Sequence, residues 1–153
     1  MALKVGDKAP DFDLPASTGG SISLKSLAGK QVTLYFYPKD DTPGCTVEAC
    51  EFRDADSELR EAGIQVLGVS ADDLKSHDKF INKFSLNFPL LSDADKKVST
   101  AYGAWGEKTS FGKKTVGMIR KTFLIDENGK LKKIWAKVKP EGHAAEVLEA
   151  AKA

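Results

Sequence analysis

The stretch "QVTLYFYPKDDTPGCTVEAC", residues 31–50, changes character twice within a few positions. Residues 31–38 are β-branched and aromatic on both alternating faces and stop at Pro38, the pattern of a strand buried on both sides. Thr42 is a good N-cap and Pro43 a good first helical residue, so a helix is expected from Pro43 to about Ala62, with Gly63 as its stop. A strand that feeds straight into a helix is the start of an α/β layer. "IQVLGVSA", residues 64–71, reads as a second buried strand, "DLKSHDKFINKFS" as a helix and "PLLSD" as a short strand. "DKKVSTAYGA" reads as a short helix. Strands at about 118–126 and 130–138 flank "ENG", a hairpin turn, and "HAAEVLEAAKA" is a closing helix. Upstream, "DFDL" and "SISL" around "PASTGGS" form a small hairpin. The order implies a three-layer α/β fold with a central mixed sheet and an N-terminal β-hairpin. With 153 residues and no repeat, linker or low-complexity tract, residues 1–153 are expected to form one domain.

Charged residues make up 29% of the chain and nearly cancel, leaving a formal net charge of +1. That balance gives no electrostatic case for nucleic acid or an anionic membrane as partner. The N-terminus lacks the apolar run of a signal peptide, and no stretch approaches the length of a membrane span. A cytoplasmic location is the expectation. In that compartment thiols are kept reduced, so paired cysteines point to catalysis, redox chemistry or metal rather than to a structural bridge.

The chain has only two cysteines, Cys45 and Cys50. Cys45 falls at about the third position of the helix. Unpaired backbone N–H groups and the positive end of the helix dipole favour a thiolate there. At 100° per residue, Cys45, Ala49, Phe52, Ala55, Leu59 and Ala62 share one face, the one turned to the core. Cys50 lies about 140° away, on the polar side near Asp54. Five residues of intact helix separate the two Cα atoms by roughly 8.6 Å, whereas a disulfide needs less than about 7 Å. A bridge therefore requires the first turns to unwind, which suggests a sheltered attacking thiol and a resolving thiol that arrives later. Plainer roles fit the same residues. A buried cysteine is commonly a small apolar residue, Thr42 a cap, Arg120 a surface charge on a strand, and Tyr35, Phe36 and Tyr37 core. Zinc is disfavoured, since C-x4-C is not a usual ligand spacing and the only histidines, His77 and His143, are distant in sequence.

Pro38, Thr42 and Cys45 match P-x-x-x-T-x-x-C, and at these residues the chain resembles the peroxiredoxins. "YFYPKDDTPGCTVEACEFRD" closely resembles the bacterioferritin comigratory protein, or peroxiredoxin Q, subfamily. The likeness continues through "VGDKAPDFDLP", "VLGVSADDLKSHDKF", "FPLLSDADKKV", "YGAWGEK", "RKTFLIDENGK" and "KVKPEGHAAEVL". It implies a thioredoxin-like fold and a thiol-dependent peroxidase acting on hydrogen peroxide and organic hydroperoxides. By the same resemblance Cys45 is the peroxidatic cysteine and Cys50 the resolving one, joined in a redox disulfide. Thr42 orients the peroxide, Arg120 supports the thiolate and the peroxide oxygens, Pro38 shields the thiolate, and Glu48 helps hold the arginine. The implied reductant is thioredoxin, with glutaredoxin or glutathione as alternatives. No metal, haem or flavin is implied, and the protein is expected to be a monomer. Two other functions compete. A thiol–disulfide oxidoreductase of the same fold would carry C-x-x-C and a proline before the facing strand, and "TVGMIRKTF" has none. A holdase chaperone with redox-sensing cysteines is compatible as a second activity.

Overall fold

Residues 3–110 and 112–152 are described by a computed structural model. The five-stranded sheet has the order β5 (Leu90–Ser92), β4 (Ile64–Ser70), β3 (Gln31–Phe36), β8 (Lys121–Ile125), β9 (Leu131–Trp135). Its centre is β3, whose neighbours are β4, parallel, and β8, antiparallel. At the edges lie β5, parallel to β4, and β9, antiparallel to β8. The mixed sheet expected from the order of elements is therefore present.

Both faces of the sheet are covered, which is why β3 has no polar face. Alternate residues enter two separate cores. Val32, Leu34 and Phe36 join Leu67, Val69, Phe123 and Ile125 on one side, packed by Phe12, Leu14, Tyr102 and Met118. Tyr35 and Tyr37 join Val66 and Leu124 on the other, packed by Phe52 and Leu59 of helix α1 (Pro43–Glu61), Phe80 of α2 (Leu74–Phe84) and Val147 of α4 (His143–Lys152). Each large apolar side chain buried this way contributes roughly 1.5–3 kcal/mol relative to exposure. At Gly68 the packing leaves no room for a side chain: a Cβ would lie 2.8 Å from Leu90 Cδ2 and 2.9 Å from Tyr35 Cζ.

The first layer also holds the expected hairpin, β1 (Asp13–Pro15) with β2 (Ser21–Ser23), and the short helix α3 (Lys97–Ala101). Gly63 ends α1 with φ +79, a left-handed position that glycine adopts without strain. Two expectations need correction. The strand placed at 118–126 is interrupted: Met118 ends one strand, Ile119 and Arg120 form a link, and β8 starts at Lys121. Arg120 is thus not on a strand. A second hairpin, β6 (Trp105–Ser110) with β7 (Lys113–Met118), was not expected at all. Residues 113–116 of β7 are exposed, so no apolar alternation marked them. No helix among the described residues is long and apolar enough to cross a membrane.

Candidate active site

Helix α1 starts a few residues beyond the carboxyl end of β3, where ligands bind in open α/β sheets. The intervening loop is held from below by Asp40. Its backbone N–H donates to Asp72 Oδ2 at 2.8 Å. Its carboxylate accepts from Tyr37 Oη at 2.5 Å and Ser76 Oγ at 2.8 Å, and lies 2.7 Å from His77 Nδ1. His77 is fully buried, and its Nε2 meets the Leu91 carbonyl at 2.9 Å. Burial alone would disfavour charge on this ring, but the hydrogen bond and the charge of Asp40 outweigh it and raise the pKa above the usual 6.5. Nothing in the sequence linked Asp40 to His77. A histidine on the apolar stripe of a helix was the only signal.

Thr42 takes the N-cap position with extended dihedrals, and its carbonyl accepts from Thr46 N at 2.8 Å. Its hydroxyl, however, does not cap the helix. It donates to the Lys39 carbonyl at 2.9 Å, which corrects the capping expectation. Pro43, Gly44 and Cys45 follow as the first helical residues, so Cys45 sits at the third position among N–H groups with no intrahelical acceptor.

Cys45 is 1% exposed. Arg120 reaches it from the β7–β8 link: Nη2 lies 3.3 Å from Sγ, while Nη1 donates to Glu48 Oε1 at 2.6 Å. One guanidinium therefore spans two groups one helical turn apart. Gly44 permits this approach, since a Cβ there would lie 3.2 Å from Arg120 Nη2 and 3.7 Å from Pro140 Cγ. Pro140 belongs to a strap, residues 136–142, that runs from β9 to α4 across the start of α1. The strap is tied again at its far end, where Gly142 N donates to Glu51 Oε1 at 2.7 Å.

The Glu48 side chain has no exposure, and its Oε2 has no hydrogen-bond partner. Desolvation raises its pKa from the usual 4.5 to about 7, against the opposing pull of Arg120 and with a further push from Glu51. Arg120 keeps its charge. Burial weakens it, but Glu48 and Cys45 together raise its pKa above the usual arginine value.

Of the residues singled out in the sequence, Arg120 is brought into direct contact with both Cys45 and Glu48. Thr42 stands three positions before Cys45 with its hydroxyl turned to the loop, and Pro38 is half-buried in that loop. Cys50 lies on the same unbroken helix, and both cysteines are free. It is not among the buried residues of that helix and is half-buried rather than fully open to solvent. In the sequence His143 is only a histidine distant from the cysteines. It is buried under α1, with Nε2 2.8 Å from Thr122 Oγ1 and its ring 5.9 Å from that of Phe52. A groove lined by Ile64, Ile81, Leu86 and Phe88 lies at the other end of β3 and β4 and holds none of these side chains.

A buried thiol contacted by an arginine at a helix start is a site for a sulfur nucleophile, and the comparisons agree with that chemistry. The model of the AhpC/TSA family matches residues 5–134. The chain belongs to this family. It is 55% identical over 148 residues to a putative peroxiredoxin Bcp of Coxiella burnetii, covering 97% of this chain and 98% of that one. With the peroxiredoxin Bcp of Escherichia coli it shares 46% identity over 146 residues, 95% of this chain and 94% of that one. The solved structure of the Xanthomonas campestris bacterioferritin comigratory protein superposes with a TM-score of 0.90 at 40% identity, covering 97% and 98% of the two chains. The sheet described above is accordingly the thioredoxin-like fold of the peroxiredoxins, and this member groups with the Bcp, or peroxiredoxin Q, proteins. As a peroxiredoxin it is a thiol-dependent peroxidase.

Proposed function

We propose that this peroxiredoxin reduces hydroperoxides through Cys45, that Cys50 resolves the oxidised sulfur as an intramolecular disulfide, and that a dithiol protein such as thioredoxin resets it. The observation that carries the reading is the Arg120 guanidinium placed on Cys45 Sγ and on Glu48 at once. A cation 3.3 Å from the sulfur faces the atom that, as the thiolate, attacks peroxide. The thiolate takes the terminal oxygen, the O–O bond breaks, and water or an alcohol leaves behind a sulfenic acid. Negative charge grows on the departing oxygen. The first-turn N–H groups, Arg120 and the Thr42 hydroxyl are the donors within reach of that region, once Thr42 turns from the Lys39 carbonyl. Pro38, half-buried in the loop before Thr42, would shield the thiolate. Cys50 then condenses with the sulfenic acid, and exchange with an external dithiol restores both thiols.

The Xanthomonas campestris protein has alkyl peroxide reduction activity, which supports organic hydroperoxides beside hydrogen peroxide as substrates here. Both cysteines lie on one helix, so the cycle needs no second subunit, and a cytoplasmic monomer acting as one unit is the simplest form. Glutaredoxin or glutathione would be the alternative reductants. The test is peroxide consumption coupled to thioredoxin, thioredoxin reductase and NADPH, with mass spectrometry of each cysteine variant. Cys45→Ser should lose all turnover. Cys50→Ser should consume about one equivalent and stop as sulfenic acid, drifting to sulfinic acid in excess oxidant. Full activity in Cys45→Ser overturns the assignment.

A further inference from the structure

Among the described residues Arg120 is the one cation in contact with Cys45 and Glu48, and both partners are shut off from water, at 1% exposure each. Two anions beside one cation in a dry site repel each other strongly, so the arrangement favours one anion at a time. Two states keep the site neutral: thiol with carboxylate, or thiolate with carboxylic acid. The unpartnered Glu48 Oε2 shows where the proton of the second state would sit, since an ionised carboxylate would leave that oxygen charged, buried and unbonded. Oε1 meanwhile accepts from Arg120 in either state.

We propose that Glu48 holds the proton that Cys45 gives up, and that this proton makes up the balance when peroxide is reduced. The inference rests on the reading of Cys45 as the peroxide-reactive thiol. In the waiting enzyme, Cys45 is S⁻ and Glu48 is COOH. The thiolate forms an S–O bond to the terminal oxygen, the O–O bond breaks, and the leaving RO⁻ must gain a proton. Sulfur loses two electrons and the peroxide gains them. When the thiolate charge disappears, Arg120 is left without an anion and Glu48 ionises to replace it. The proton released equals the proton needed: COOH, S⁻ and ROOH become COO⁻, SOH and ROH, with no net exchange with solvent. Glu48 touches neither sulfur nor peroxide and is a positioning residue that works through Arg120.

Other ionisable groups border the carboxyl. Glu51 on α1 raises its proton affinity, and Tyr35 on β3 feels its charge in turn. Tyr35 is held well above its usual range by burial and stays neutral. His143 on α4 has its pKa lowered by burial, so it carries little charge near neutrality. With Glu48 at about 7, the wild-type site is protonated below neutral pH and empties above it.

The experiment is a single turnover of the Cys50→Ser protein, which stops at the sulfenic acid, in weak buffer with a pH indicator. Thiolate absorbance is read in parallel. Slightly below neutral pH this protein should take up no proton per sulfur oxidised, rising to one as pH passes through about 7. Adding Glu48→Gln should give one proton per sulfur at every pH where the thiol is ionised. Adding Glu51→Gln should leave a transition from zero to one. Equal uptake with and without Glu48, with the thiolate present in both, overturns the inference, as does a loss of the transition in Glu51→Gln alone. Should Glu48→Gln fail to fold, infrared difference spectra decide: oxidation must remove a protonated-carboxyl band, and its absence overturns the inference. If Cys45 is not the reactive thiol, its sulfur will not oxidise at all, which separates that failure from this one.

Discussion

Folding moves Glu48 from water to a place where one of its oxygens is bonded and the other is not. Its folded pKa of about 7 lies above the usual 4.5, so the folded state binds this proton more tightly than the unfolded chain. Stability from this group is greatest below pH 4.5 and declines as pH rises to about 7, after which the loss is constant. Glutamine keeps an acceptor for Arg120 and carries no charge. Glu48→Gln is therefore expected to match the wild type in acid and to exceed it above neutrality, by on the order of 3 kcal/mol. Urea unfolding across pH measures this, and a constant difference at all pH values would remove the burial argument. Arg120 stands at the opposite pole, since its value lies in geometry. Lysine cannot place two donors on Sγ and Oε1 together. Arg120→Lys should slow the reaction with peroxide tenfold or more, equivalent to about 1.4 kcal/mol. An unchanged stopped-flow rate would show that the fork seen here does not act in catalysis.

Helix α1 is built in two halves of different firmness. Near the cysteines stand Gly44, Thr46 and Val47, all weak helix formers. Further along, Arg53 Nη1 donates to the Phe84 carbonyl at 2.6 Å, and Asn87 Nδ2 donates to the Arg53 carbonyl at 3.1 Å. These bonds tie the helix to the end of α2 and the segment beyond it. On the other side, Asp40 is clamped to His77 and Asp72. The segment between the two anchors is the part free to unwind in the proposed Cys45–Cys50 disulfide form. Amide protection should fall on oxidation across about residues 42–52 and hold from Arg53 onward. Arg53→Ala should let the loss spread into the next turn. Hydrogen exchange of both redox states tests this, and equal protection across the segment in a confirmed disulfide form would refute it. The clamp has its own pH dependence. The pKa of His77 is raised, so its contribution is complete below about 6.5 and is lost as pH rises through the higher folded value.

At the scale of the whole molecule, the sequence was most legible where neighbours in the chain are also neighbours in space. Pro43 and Gly63 bracketed α1 because both act on local backbone geometry. The aromatic run of β3 announced burial on two faces because every residue of it touches one of the two cores. The contact of Arg120 with Cys45 spans 75 positions and that of Asp40 with His77 spans 37, and no local pattern encodes either. The family resemblance supplied Arg120, while the chain pattern placed it on a strand, because "MIRKTFLID" is apolar enough to read as continuous. The β6–β7 hairpin escaped because exposed strands carry no alternation. Gly68 could be seen in the sequence, but not its reason. A methyl there must displace Leu90 and Tyr35 together, so Gly68→Ala should destabilise the fold by about 1–3 kcal/mol in thermal or urea unfolding. A neutral result would mean that the three strands joined at this point yield more readily than their packing implies.

The strap over α1 reaches further than its two contacts suggest. Pro140 sits by Gly44 and the Gly142 N–H holds Glu51, so the strap spans the stretch that carries both cysteines. Each time Cys45 is oxidised in the proposed cycle, a race begins between the arrival of Cys50 and the arrival of a second peroxide. The firmer the strap, the longer the sulfenic acid waits. In that cycle the bond at Glu51 would set a ceiling on the oxidant dose the protein survives, much as a fuse is rated for a current. Glu51→Gln, a weaker acceptor, should raise that ceiling: at a fixed excess of peroxide, less Cys45 should be found by mass as sulfinic acid. An unchanged yield would mean that the rating is set elsewhere in the fold.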